Sequence, residues 1–207
     1  MLNVATETIA GPAGQLEILF TSPETPRAIA LVCHPHPQQG GTMHNKVVQT
    51  LAKAFQELDF AVMRFNYRGV EKSEGEFDHG IGETEDAAAA LAEAERRVGK
   101  TLPLVAGGFS FGTFVQARLM TRSNPEQLVL VGPAINHRFQ LPEMPKHTIV
   151  IHGEEDDVVP LENVMNWARP QALPVTVFPG AGHFFHGRLG ELKHCVKRGV
   201  AHVGAHA

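Results

Sequence analysis

The sequence has little cysteine: its 207 residues contain only Cys33 and Cys195, which lie far apart along the chain. Two cysteines at such a distance suggest no disulfide framework. Cys33 ends an apolar segment, and its simplest interpretation is a small buried residue. Low cysteine usage fits a reducing compartment, so we expect a cytoplasmic protein.

Long hydrophobic runs and an excess of positive charge are also missing. No segment approaches the roughly 18 apolar residues of a membrane-spanning helix. Residues 1–5 lack both the basic and the apolar part of a signal peptide. The formal net charge is −4, and the basic residues form no stripe. We therefore expect neither a membrane nor a nucleic acid as a partner.

What the sequence does contain is an alternation of apolar segments with segments of helical periodicity. Residues 27–33 are almost continuously apolar, as in a strand buried on both faces. The alternation predicts βαβ units and hence an α/β fold, a mostly parallel twisted sheet with helices on both faces. No internal repeat or linker is visible, and we expect residues 1–207 to form a single domain. The predicted strands cover residues 4–10, 15–20, 27–33, 60–65, 102–107, 127–131, 148–152 and 175–178, and helices are predicted at 44–58, 82–98, after Ser110, at 161–168 and at 185–200.

The pattern that organises the rest is Gly108-Phe109-Ser110-Phe111-Gly112. It follows an apolar strand and precedes a helical segment. A G-x-S-x-G pattern in that context is typical of a nucleophile elbow, a sharp turn that exposes the serine hydroxyl. The two glycines leave room for neighbouring backbone that a Cβ atom would obstruct. We therefore predict Ser110 as a catalytic nucleophile.

A serine nucleophile needs a base and an acid that orients the base. In this arrangement the acid follows the serine in the chain, at a strand end. The segment Gly153-Glu154-Glu155-Asp156-Asp157-Val158-Val159-Pro160 supplies four acidic residues. Its G-x-x-D-x-x-V-P spacing favours Asp156, and Asp157 remains the alternative as a helix N-cap or acid.

The base must come later still, and several histidines follow residue 157. His183 lies in a loop of small residues just beyond the last predicted strand, which allows the loop to approach the serine. His186 comes three residues later and is a candidate for the pocket wall, whereas His194 belongs to the predicted final helix. We predict His183 as the general base.

Two backbone N–H groups should bind the oxyanion of the tetrahedral intermediate. One is expected from Phe111, directly after the nucleophile. The other should come from the loop that begins at His34. Pro35 and Pro37 have no N–H, which leaves His36 as the predicted second donor.

The His34-x-His36 spacing also allows a different interpretation, a metal site. Such a site would need further ligands, for example His152 or Asp157. The serine triad already accounts for the residues at the strand ends, so we expect neither a metal nor another cofactor.

With these motifs assembled, the chain resembles the α/β-hydrolase superfamily over nearly its whole length. The segments H-P-H-P-Q-Q-G-G-T-M-H-N-K and R-F-N-Y-R-G-V-E-K-S-E-G resemble more narrowly a group of small, lidless bacterial hydrolases and esterases. The resemblance implies the same triad: Ser110, Asp156 and His183. Glu71 departs from it, since many relatives have glycine there.

The segment between the strands ending at Val131 and starting near Thr148 is too short for a cap domain, so the fold should lack one. We predict an open cleft with apolar walls that include Phe109, Phe184 and Met43. The leading functional hypothesis is a carboxylesterase acting on small or short-acyl esters through an acyl-enzyme on Ser110. The alternative is a peptidase or amidase with the same triad, in which Glu71 or Glu74 would hold a substrate amine.

Overall fold

The computed structural model describes residues 5–136 and 138–205. Val4, where the first strand was predicted to start, lies outside these residues. The described residues form eight strands and five α-helices. After an initial two-stranded hairpin, strands and helices alternate, except that no helix separates the sixth and seventh strands. The strands are β1 (Glu7–Gly11), β2 (Gly14–Thr21), β3 (Ile29–Cys33), β4 (Ala61–Phe65), β5 (Leu104–Phe109), β6 (Gln127–Val131), β7 (Ile149–Gly153) and β8 (Val175–Phe178), and the helices are α1 (Lys46–Gln56), α2 (Ile81–Val98), α3 (Phe111–Ser123), α4 (Leu161–Ala168) and α5 (Leu189–Val200).

The eight strands form one sheet in the order β1-β2-β4-β3-β5-β6-β7-β8. The hairpin of β1 and β2 pairs antiparallel, and β2 pairs antiparallel with β4. All remaining pairs are parallel. The predicted α/β fold with a mostly parallel sheet is therefore confirmed.

Alternate residues of the central strands face two separate layers of helices. Ala30 and Val32 of β3 join a cluster with α1 and α5, whereas Ile29 and Leu31 join one with α2 and α3. The helix α4 packs on the same side as α3, against Leu128 and Leu130. Burial on both faces explains why these strands are almost entirely apolar.

The carboxyl ends of the parallel strands meet at one edge of the sheet. Because β3 and β5 are direct neighbours, the loop after Cys33 lies next to the turn after Phe109. The loops after β7 and β8 enter the same edge from the other side. This edge is where open α/β sheets bind their ligands.

The final helix is shorter than predicted. It begins at Leu189 rather than at residue 185. Phe185 and Gly187 have φ values of 52° and 74°, which an α-helix cannot accommodate. His186 therefore lies in a turn, and the prediction of helix from residue 185 is wrong by one turn.

No helix in the described part of the chain is both long and apolar enough to cross a membrane.

The elbow requires glycine at position 112 for a steric reason that a matched pair of variants can test. A Cβ on Gly112 would overlap the carbonyl oxygen of Cys33 and lie 2.6 Å from its carbonyl carbon. Gly190 also occupies the second position of a helix, yet a Cβ there meets nothing within 4 Å. We expect Gly112→Ala to lower the free energy of unfolding by about 1–3 kcal/mol through overpacking. Gly190→Ala should raise it by about 0.5 kcal/mol. Urea denaturation measures both, and equal effects of the two variants would contradict this account of the elbow.

Candidate active site

Ser110 lies in the turn between β5 and α3 with a backbone that non-glycine residues seldom adopt. Its φ is 53° and its ψ is −122°, a conformation that costs of order 1–3 kcal/mol and concentrates at functional sites. Three hydrogen bonds hold it. The Ser110 N–H donates to the Val131 carbonyl at 3.0 Å, and the Ser110 carbonyl accepts from the Thr113 N–H at 2.9 Å and from the Thr113 hydroxyl at 2.6 Å. The sequence predicted the turn, whereas the contribution of Thr113 was missed.

The structure brings Ser110, His183 and Asp156 into one chain of hydrogen bonds. The Ser110 Oγ lies 3.0 Å from His183 Nε2, and His183 Nδ1 lies 2.7 Å from Asp156 Oδ2. A carboxylate can only accept, so the His183 Nδ1–H donates and Nε2 is left with its lone pair toward the serine hydroxyl. This is the tautomer that a base for Ser110 requires.

Asp156, rather than its neighbour, faces the histidine. Its other oxygen, Oδ1, accepts the Val158 and Val159 N–H groups at 3.0 and 2.7 Å. Burial alone would raise the pKa of Asp156, but the hydrogen bonds from His183 and Val159 outweigh it, so the pKa is lowered. The carboxyl group is thus held as an anion. Asp157 is exposed, and the N-cap of α4 is Pro160.

His152, at the end of β7, contacts the turn that carries Asp156. The sequence did not predict this role. The His152 Nε2 lies 2.9 Å from the Val159 carbonyl and 3.5 Å from Asp156 Oδ2. A carbonyl only accepts, which places the proton on Nε2. Burial lowers the pKa of His152 despite the nearby carboxylate. A neutral imidazole therefore braces the turn that carries Asp156.

The two predicted oxyanion donors lie on adjacent segments. Within the described residues, neither the His36 N–H nor the Phe111 N–H donates a hydrogen bond to the protein. Phe111 is the first residue of α3, where an N–H has no partner within the helix. The His36 carbonyl accepts from Gln39 and Gly41, each at 3.0 Å, which fixes the backbone of the loop. Both donors are thus available for a ligand.

His34 is a structural residue beneath this loop. Its Nδ1 lies 2.7 Å from the Pro35 carbonyl, and its Nε2 accepts the Tyr67 N–H at 3.1 Å. Burial lowers the pKa of His34 to about 3. Both ring nitrogens are therefore engaged with backbone, and neither offers a lone pair to a metal. The described residues contain no cluster of three or more side chains that could bind one.

The predicted apolar walls need correction at two of three positions. Met43 and Phe109 have no exposed surface. Met43 lies in the loop that follows β3, where its N–H donates to Asn66 Oδ1 at 2.8 Å, and the ring centroid of Phe109 lies 4.9 Å from that of His183. Neither can contact a substrate directly. Phe184 is 43% exposed and its ring lies 5.1 Å from that of His183. In the described chain, the other exposed large apolar side chains are Val158, beside Asp156, and Ile81.

Among the described residues, no cap domain is inserted between β6 and β7. Between β6 and β7 the described residues 132–136 and 138–148 form neither helix nor strand. Ser110 is nevertheless only 8% exposed, because the loops around it are packed against one another.

The fold and this hydrogen-bonded triad define a serine hydrolase of the α/β type. A family model described as "Serine aminopeptidase, S33" matches residues 24–148, which include Ser110 and end before Asp156 and His183. The chain belongs to this family.

Solved structures place it in the small lidless group. It is similar to an α/β serine hydrolase homologue from Coxiella burnetii, with 41% identity, a TM-score of 0.87 and coverage of 96% of this chain and 97% of the other. It is also similar to an α/β serine hydrolase without a lid from Xanthomonas campestris, with 36% identity, a TM-score of 0.87 and coverage of 97% and 94%. An uncharacterized protein from Rickettsia prowazekii is 31% identical over 90% of this chain and 84% of its own length.

The neutral state of His34 makes stability depend on pH in a predictable direction. The unfolded chain binds a proton on this histidine below about pH 6.5, whereas the folded protein does so only near pH 3. Stability is therefore lost as the pH falls through this window. From about pH 7 to about pH 5.5 we expect His34 to account for about 1 kcal/mol of the loss.

Urea denaturation of wild type and His34→Gln at both pH values measures this share. The free energy of unfolding of His34→Gln should fall less on acidification, while the exposed control His194→Gln should follow the wild type. A difference between wild type and His34→Gln that does not change with pH would contradict the assignment.

Proposed function

We propose that the protein is a carboxylic ester hydrolase that acts through an acyl-enzyme on Ser110. The single observation that carries this proposal is the relay in which Ser110 Oγ lies 3.0 Å from His183 Nε2 and His183 Nδ1 lies 2.7 Å from the buried Asp156. Two unoccupied N–H groups on the adjoining segments, those of His36 and Phe111, supply the remaining requirement of acyl transfer.

The chemistry follows from the placement of the protons. Ser110 Oγ bonds to the ester carbonyl carbon while its proton passes to His183 Nε2, and the carbonyl oxygen becomes an oxyanion that the His36 and Phe111 N–H groups bind. The C–O bond to the alcohol then breaks, and the alcohol leaves with the proton from Nε2. In the second half of the reaction, water takes the place of the serine: His183 Nε2 accepts a proton from the water as its oxygen bonds to the acyl carbon. The bond to Ser110 Oγ then breaks, Oγ takes the proton back, and the carboxylic acid is released. Asp156 stays ionised throughout and stabilises the imidazolium.

The charges near the cleft favour an ester over a peptide with a free amine. Burial is the largest cause of the lowered pKa of His36, and Arg138 and His79 lower it further, so two basic side chains lie near this side of the cleft. Basic groups disfavour a substrate ammonium. Of the two carboxylates considered for binding an amine, Glu74 already accepts the Gln15 N–H at 2.7 Å.

Two chromogenic substrates, one an ester of 4-nitrophenol and the other an amide of 4-nitroaniline, test the choice between ester and amide. We expect 4-nitrophenyl acetate to be hydrolysed, and alanine 4-nitroanilide to have a kcat/KM lower by roughly 1,000-fold or more. Such a ratio corresponds to about 4 kcal/mol of transition-state free energy. Turnover of the anilide at a rate comparable to that of the ester would favour the aminopeptidase alternative.

The assignment of Asp156 as the acid of the triad can be tested against its neighbour Asp157. Asp156→Asn should lower kcat for 4-nitrophenyl acetate by roughly 10⁴-fold, because an amide in this position favours the wrong tautomer of His183. Asp157→Asn makes the same chemical change on an exposed side chain one residue away and should stay within about twofold of wild type. Similar losses in both variants, or no loss in Asp156→Asn, would refute the assigned triad.

A further inference from the structure

Four aromatic side chains meet at the oxyanion side of the cleft: His36, Phe77, Phe111 and Phe139, here called the aromatic platform. The ring centroid of His36 lies 4.9 Å from that of Phe77, 5.0 Å from Phe111 and 5.9 Å from Phe139. Phe111 lies 5.9 Å from Phe77 and 5.3 Å from Phe139. Phe111 is buried, while the other three rings are half-buried. The four rings therefore pack against one another, and three of the four residues remain partly exposed to solvent.

The platform and the oxyanion donors belong to the same residues. The N–H groups offered to the carbonyl oxygen are those of His36 and Phe111, and the rings of these two residues form the centre of the platform. A carbonyl group bonded to Ser110 Oγ, with its oxygen between those N–H groups, is therefore bound by the two residues whose rings form the centre of the platform. One of the two substituents of its carbonyl carbon can extend toward the platform.

Proton transfer decides which substituent this is. The leaving alcohol oxygen takes its proton from His183 Nε2, so it must lie on the side of His183. The exposed ring on that side is Phe184, 5.1 Å from His183. The acyl substituent, which stays on Ser110 after the alcohol has left, is therefore the group directed to the aromatic platform.

The platform is uncharged near neutral pH. Burial is the largest cause of the lowered pKa of His36, and Arg138 and His79 lower it further. Its Nδ1 accepts the Gln38 N–H at 3.2 Å, which leaves a neutral ring with the proton on Nε2. The rings are inclined to each other by 42° to 71°, so the platform offers both faces and edges. Such a surface favours an aromatic guest through offset and edge-to-face contacts.

We propose that the aromatic platform binds the acyl group of the substrate and that this acyl group is an aromatic carboxylic acid. This inference rests on the proposed ester hydrolase activity and narrows the substrate class beyond short-acyl esters. His36 and Phe111 act on the carbonyl through their N–H groups. The half-buried ring of His36 contacts the acyl group, whereas the buried ring of Phe111 packs against the other three rings and holds them in place. Phe77 and Phe139 are specificity-determining residues.

Two esters with the same leaving group and acyl groups of similar size isolate the aromatic contribution. The test compares kcat/KM for 4-nitrophenyl benzoate with that for 4-nitrophenyl cyclohexanecarboxylate, each divided by its rate of hydroxide hydrolysis. Aromatic contacts of about 0.5–1.5 kcal/mol predict a corrected preference for benzoate of roughly 3- to 10-fold. Phe77→Leu and Phe139→Leu should each reduce this preference toward unity. Phe20→Leu, a half-buried phenylalanine on strand β2, is the matched control and should retain it.

A binding measurement needs no variant. Boronic acids form a tetrahedral adduct with a serine nucleophile. After correction for the different acidities of the two boronic acids, phenylboronic acid should inhibit wild-type turnover of 4-nitrophenyl acetate roughly 3- to 10-fold more strongly than cyclohexylboronic acid. Equal inhibition, together with equal corrected rates for the two esters, would overturn the aromatic acyl group and leave the esterase proposal in place if the acetate is still hydrolysed. Failure to hydrolyse any of the three esters would overturn both.

Discussion

The backbone conformation of Ser110 is the constraint on which the rest of the site depends. A φ of 53° on a serine is unfavourable, and it persists because the strand before it and the helix after it are both buried. The turn is tight enough that a Cβ on Gly108 would lie 2.5 Å from the Gly112 carbonyl oxygen. The same turn starts α3 at Phe111, and so it positions the hydroxyl and one oxyanion donor together.

Near that turn, the buried Asp156 is held as an anion, whereas the buried imidazoles of His34 and His152 are neutral. Asp156 is ionised because two backbone N–H groups and His183 bind it. His34 and His152 are kept neutral by burial, and their protons are fixed by backbone carbonyls. A charged histidine under the oxyanion loop or under the acid turn would need a buried counterion. Within this chain of hydrogen bonds, the proton placed for transfer is the one between Ser110 Oγ and His183 Nε2.

The sequence was informative wherever spacing along the chain defines a contact. The G-x-S-x-G turn located Ser110, the G-x-x-D-x-x-V-P segment distinguished Asp156 from Asp157, and the two prolines left His36 as the proposed donor of its loop. The structure places these residues together, as their positions at strand ends predicted. These local signals work because backbone sterics and missing N–H groups are properties of the chain itself.

Contacts between distant segments could not be predicted in this way. The burial of Phe109 and Met43 depends on loops that come from other strands, and no pattern near either residue reveals it. His34 and His152 gained structural roles only when Tyr67 and Val159 were brought to them by the fold. The aromatic platform likewise joins four residues from four segments, between 36 and 139 in the chain.

The central claim is that Ser110 is the one nucleophile that His183 activates. Intact-protein mass spectrometry after treatment with a fluorophosphonate, followed by peptide mapping, tests it most directly. The account predicts a single adduct per chain on the peptide that contains Ser110, and no adduct in the Ser110→Ala variant. An adduct on a different residue, or labelling of Ser110→Ala at the wild-type rate, would contradict it.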